Sequence, residues 1–97
     1  MAKFKLGNKL KKILKIEKDK FIIYVEFNDG VKGKFNCEFL FNKPQGLASE
    51  ILIGNFFDKC FIENGALAWP NGLELCPDSV KMTMIEQKNI ITRKKVA

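Results

Sequence analysis

Three turn signals, Asn28-Asp29-Gly30, Asn64-Gly65 and Pro70-Asn71-Gly72, mark where the chain reverses between short strand-like runs. The residues around the first signal alternate. Phe21, Ile23, Val25 and Phe27 recur at period two against Ile22, Tyr24 and Glu26, and Val31, Gly33, Phe35 and Cys37 alternate with Lys32, Lys34 and Asn36. With Ile13-Leu14-Lys15-Ile16 as a preceding strand, this predicts a three-strand meander with one wet face, the Asn-Asp-Gly turn supplying positive φ angles. Asn64-Gly65 predicts a second hairpin between 59–63 and 66–69, and the Pro-Asn-Gly turn leads into Leu73-Glu74-Leu75.

Two proline-led segments predict helices. Pro44 to Leu52 places Leu47, Ile51 and Ala48 towards one face with Gly54 to close it, and Pro77 opens a helix to about Gln87 with Asp78 in its first turn. The expected fold class is therefore α+β: a small antiparallel sheet of about five or six strands with two short helices. At 97 residues, 46% of them hydrophobic, there is one core and little apolar surface left for a deep cavity. The expected organisation is a basic N-terminal segment over 1–10, a single domain over 11–87 and a basic tail over 88–97.

Charge is uneven along the chain. Residues 1–20 carry +6, 21–80 carry −4 and 81–97 carry +4, which recovers the total of +6. Basic ends on a mildly acidic body point to phosphate or an acidic partner held by Lys3, Lys5, Lys9, Lys11, Lys12, Arg93, Lys94 and Lys95. All but one of the 17 basic residues are lysine, so planar two-point reading of a base or phosphate is nearly absent and binding would be blind to sequence.

The chain has no histidine, and its cysteines, Cys37, Cys60 and Cys76, are three and widely spaced. No zinc pattern, no Ser-His or Cys-His nucleophile and no phosphate-cradling glycine loop is spelled out, so the sequence predicts neither enzyme nor cofactor nor metal. Free, silent thiols suit a reducing compartment. The longest uninterrupted apolar run is Phe21 to Val25, which predicts no membrane span, no signal peptide and a cytoplasmic protein.

The stretch Phe57, then Trp69-Pro70-Asn71-Gly72-Leu73-Glu74-Leu75-Cys76-Pro77-Asp78, resembles the signature of the bacterial family called domain of unknown function 2442. Tyr24 to Gly30 resembles that family's strand ending in Phe-x-Asp-Gly, and the likeness spans roughly residues 11–86. Glu74 stands where the family usually has Asp, and Lys81 where an aromatic is common. The resemblance implies a small α+β domain without an established catalytic activity, whose gene often neighbours another short one in pairs proposed as toxin and antitoxin. Trp69, Asn71, Glu74 and Asp78 offer an aromatic plane, an amide and two carboxylates to a partner. The turn chemistry of Pro-Asn-Gly, the size of Trp69 and the helix-start position of Asp78 equally suit a purely structural stretch. The favoured expectation is a protein-interaction module, antitoxin-like or regulatory, with a partner from a neighbouring gene. The alternative is a nucleic-acid binder acting through its lysine-rich ends.

Overall fold

In the computed structural model, which describes residues 7–41 and 46–92, the period-two segments form strands β1 (Leu10–Glu17), β2 (Ile22–Phe27) and β3 (Lys32–Asn36). Helix α1 spans Leu47–Ile51. The Asn64-Gly65 hairpin joins β4 (Phe61–Glu63) to β5 (Ala66–Ala68), followed by β6 (Glu74–Leu75), helix α2 (Pro77–Glu86) and a last strand, β7 (Ile90–Thr92). The fold is α+β, as the turn spacing predicts. Among the described residues, seven strands form two antiparallel sheets rather than one, β1-β2-β3-β7 and β4-β5-β6. Pro44 and Gln45, at the start of the first expected helix, lie outside the described residues.

The two sheets meet where the Leu10 amide donates to the Gly65 carbonyl at 2.8 Å, so the tip of the β4–β5 hairpin is stitched to the start of β1. Core side chains come from the expected face of the meander, with Ile23, Val25, Phe27 and Phe35 buried, and from Ile51, Phe57, Leu67, Trp69, Val80 and Met84. Helix α2 lies on the inner face of β3, and Gly33 makes that approach possible. A Cβ there would stand 2.6 Å from the Asn89 carbonyl oxygen and 2.7 Å from Met84 Cε.

The fold uses chain on both sides of the expected 11–87 domain. Asn8 and Leu10 are buried, and β7 follows α2 after a reversal at Lys88, whose φ of 59° lies in the left-handed region. The Lys88 amide donates to the Ile85 carbonyl at 3.0 Å and the Asn89 amide to that of Met84 at 2.9 Å, the paired bonds of a Schellman ending. The free side of β3 is thereby closed. The Lys34 amide donates to the Asn89 carbonyl, while the Gln87 side-chain amide accepts from the Asn36 N–H at 3.3 Å and donates to the Asn36 carbonyl at 2.9 Å. Gln87 does for Asn36 what a paired strand would do.

The first and third turns are built alike. Gly30 donates to the Phe27 carbonyl and Gly72 to that of Trp69, both at 3.0 Å, and only the glycine of each turn is left-handed, at 88° and 96°. They are three-residue loops closed by a glycine bulge, so Asn28 and Asp29 do not take the positive φ expected of them.

Candidate nucleic-acid interface

The described residues of the Trp69–Asp78 stretch are mostly engaged within the fold. Trp69 is 1% exposed, its ring packs 6.1 Å from that of Phe57, and Nε1 donates to the Phe57 carbonyl at 3.1 Å. Asn71 Oδ1 accepts from the Leu73 amide at 3.1 Å and its Nδ2 donates to Glu50 Oε1 at 2.9 Å, fastening the turn to α1. Asp78 reaches across the chain: Oδ1 accepts from the Asn8 amide at 2.9 Å and from Asn8 Nδ2 at 2.7 Å, and Oδ2 from the Gly7 amide at 3.2 Å. These donors, the Asn8 amide foremost, hold the Asp78 carboxyl below its ordinary range. Glu74 is exposed on β6, apart from these contacts.

Lys81 of α2 ties the opposite turn. Its Nζ donates to Asp29 Oδ2 at 2.7 Å and to Asn8 Oδ1 at 3.0 Å, and sits 5.3 Å from the Phe27 ring centroid. Partial burial pushes Asp29 up, but the Lys81 ammonium and the Val31 amide outweigh it and hold the carboxyl below the usual range. Cys37 and Cys60 are buried, and burial pushes their thiols up to about 12 and about 11, so neither is a thiolate near neutrality. Cys76 is exposed at the start of α2.

The surface that no single stretch of sequence announces is the outer face of the four-stranded sheet. Strand parity and register line up two rungs across three strands: Lys12 of β1, Glu26 of β2 and Lys32 of β3, then Lys15, Tyr24 and Lys34. Paired residues on adjacent antiparallel strands project to the same face, about 4.8 Å apart. Register shifts in β1 add Lys11, whose Nζ lies 4.0 Å from Glu26 Oε2, while Lys12 Nζ lies 3.9 Å from Oε1. Glu26, only 9% exposed, is flanked by lysines. Glu17 ends the face, accepting from the Tyr24 hydroxyl at 3.1 Å with Lys15 Nζ 3.5 Å away. That hydroxyl lowers the Glu17 carboxyl, and the same bond raises the Tyr24 phenol.

Among the described residues this face carries Lys11, Lys12, Lys15, Lys32 and Lys34 against Glu17 and Glu26, a net +3. Both glutamates already have lysine or tyrosine partners, and the side chains of Lys11, Lys12 and Lys15 are roughly three-fifths exposed, at 62%, 59% and 64%. The ion pairs are long and their lysine ends face solvent, so the lysines remain available to a stronger anion. The lysines of the body, Lys32 and Lys34, therefore face the same way as those of the N-terminal third, and the acidic sum over 21–80 does not describe this face. Of the end lysines expected to meet phosphate, Lys11 and Lys12 lie on it and Lys9 is exposed before β1. Lys3, Lys5, Arg93, Lys94 and Lys95 lie outside the described residues. The shared parity of Tyr24 and Glu26 on β2 and of Lys32 and Lys34 on β3 is the sequence signal for this face, while the β1 lysines join it only through register shifts that no sequence pattern shows.

An open groove lies on the other side of the molecule, between the turn at Glu38–Phe41 and α2. Phe35, Leu40, Leu75 and Val80 line it, Phe39 is 49% exposed beside it, and Glu74 stands at its edge. No helix among the described residues is long and apolar enough to cross a membrane. No family model matches the chain, and no match was found among the curated proteins or the solved structures.

Proposed function

We propose that the protein is a non-enzymatic binding module that holds a polyanion, nucleic acid foremost, on the outer face of its four-stranded sheet. The observation that supports this is the pair of lysine rungs, Lys12-Glu26-Lys32 and Lys15-Tyr24-Lys34, which sets lysines in two rows on either side of β2. Two rows of ammonium groups on a flat surface suit a charged backbone better than a small anion, which would call for convergent donors in a pocket. Affinity would come mostly from counterion release, in the non-specific range of about 10⁻⁴ to 10⁻⁶ M at physiological salt. The test is charge reversal on the face, Lys15→Glu with Lys34→Glu, against the same number of reversals elsewhere, Lys59→Glu with Lys88→Glu. Binding of a labelled oligonucleotide, followed by anisotropy, is lost in the first variant and kept in the second. Equal loss in both would mean that net charge alone attracts the ligand and the face does not.

A second reading, the antitoxin-like or regulatory protein-interaction module, draws on the groove beside Phe39, where Glu74 is the exposed carboxylate and a basic peptide with one apolar anchor is the complementary occupant. Coexpression with the product of a neighbouring gene, with and without Phe39→Asp, tests it. Copurification that Phe39→Asp abolishes supports this reading; copurification that survives the substitution contradicts it.

A further inference from the structure

We infer that the nucleic acid held by this face is single-stranded, with one base stacked on the ring of Tyr24 while the neighbouring phosphates take Lys15 and Lys34. The inference rests on the polyanion reading above and adds to it the state of the strand. Tyr24 is the only tyrosine of the chain, and its place on β2 between Lys15 and Lys34 makes it the aromatic centre of the basic face. Its ring is half-buried and oriented by the hydroxyl's bond to Glu17 Oε1, so it is held in one position before any ligand arrives.

What covers the ring is a cation. Lys15 Nζ lies 5.8 Å from the ring centroid and 3.5 Å from Glu17 Oε2. A cation over a ring at the solvent boundary is a weak contact, weaker than a nucleobase stacked on the same ring. A base that takes the ring displaces the ammonium sideways, where the phosphate of the same nucleotide meets it. The exchange gains a stacking contact and a charge contact for the loss of one cation–π contact and one long ion pair. With strands about 4.8 Å apart, Lys34 is the cross-strand partner of Tyr24 on the side away from Lys15, in reach of the next phosphate. Glu26 stands in the middle of its own rung, between Lys12 and Lys32, whereas Glu17 lies at the end of the face with its charge met by Lys15 and the Tyr24 hydroxyl, so the Lys15, Tyr24 and Lys34 rung is where a strand sits closest. A duplex keeps its base faces stacked on one another and has nothing to offer the ring.

The experiment uses the full chain, a homopyrimidine oligonucleotide, a duplex of the same length and vesicles containing phosphatidylserine, with Tyr24→Ala and Tyr24→Phe compared after circular dichroism shows both folded. Tyr24→Ala is expected to weaken single-strand binding by about tenfold and to leave duplex binding unchanged, while Tyr24→Phe, which keeps the ring, binds the single strand like the parent. Single-strand affinity unchanged in Tyr24→Ala, or lowered equally for the duplex, overturns the stacking. Vesicles bound more tightly than the oligonucleotide overturn the choice of ligand. If Lys15→Glu with Lys34→Glu abolishes binding while Tyr24→Ala changes nothing, the stacking inference falls and the polyanion reading stands. If neither changes anything, both fall.

Discussion

Asp29 and Asn71 hold the same post in two hairpins, each accepting the amide two residues on, from Val31 at 3.0 Å and from Leu73 at 3.1 Å. Each turn is then fastened from outside by a helix side chain, Lys81 of α2 at Asp29 and Glu50 of α1 at Asn71. The Trp-Pro-Asn-Gly stretch is thus a fold device with a counterpart in Phe-Asn-Asp-Gly, its Trp69 in the core and its Asn71 held by α1. Asn71→Ala should cost about 1 kcal/mol in chemical denaturation, the worth of an ordinary side-chain hydrogen bond. Asp29→Ala should cost more, because it strips the nearest acid from Lys81, whose side chain is only 13% exposed. The reverse order would contradict the parallel.

Trp69 closes the core, so Trp69→Ala should destabilise the domain by about 3–5 kcal/mol or unfold it. Trp69→Phe keeps much of the ring packing but leaves the Phe57 carbonyl without its 3.1 Å donor, and should cost about 1–3 kcal/mol. A melting temperature unchanged in either variant would place Trp69 outside the core.

Acid should loosen the attachment of the N-terminal segment. Asp29 and Asp78 both titrate below their ordinary values in the folded chain, so the unfolded chain binds more protons as pH falls. Their stabilisation is complete above the unfolded pKa of about 3.9 and is lost as pH drops through the lower folded values. The melting temperature should hold between neutrality and about pH 5 and fall below about pH 4. Asp78→Asn should melt lower than the parent at neutral pH, and the gap should close in acid, where the parent's carboxyl is itself neutral. Parallel curves would assign the acid sensitivity to other groups.

Thiol chemistry should separate the three cysteines. Brief alkylation of the native protein should add one label, at Cys76, because Cys37 and Cys60 are buried with thiols pushed up to about 12 and about 11. Denaturant should raise the count to three by mass spectrometry, counting the cysteines of the sequence. Rapid labelling at Cys37 would show that the sheet opens near Phe21, whose carbonyl accepts its thiol at 3.2 Å.

Local pattern carried β1 to β6 and both helices, because period two around Phe21–Phe27, the Asn-Gly pair and Pro77 each act within a few residues. The division into two sheets was not legible, since it depends on Leu10 meeting Gly65 across 55 positions of chain. Nor was β7, whose three residues have no periodicity of their own and whose place is set by the Lys88 reversal and by Gln87 on Asn36. The basic face was missed for a related reason. Charge summed along the chain sets Lys32 and Lys34 against the acids of the body, whereas register sets them beside Lys12 and Lys15.

The proposed binding surface is the outer face of the four-stranded sheet. The direct measurement is a titration of the isotope-labelled full chain with a single-stranded oligonucleotide, following backbone amide shifts residue by residue. Shifts are expected to centre on Lys12, Lys15, Tyr24, Lys32 and Lys34, with affinity falling as salt rises at a log–log slope of about −3 for four lysine contacts. Shifts confined to the Phe39 groove, or to residues 1–6 and 93–97 with the sheet unmoved, would contradict it.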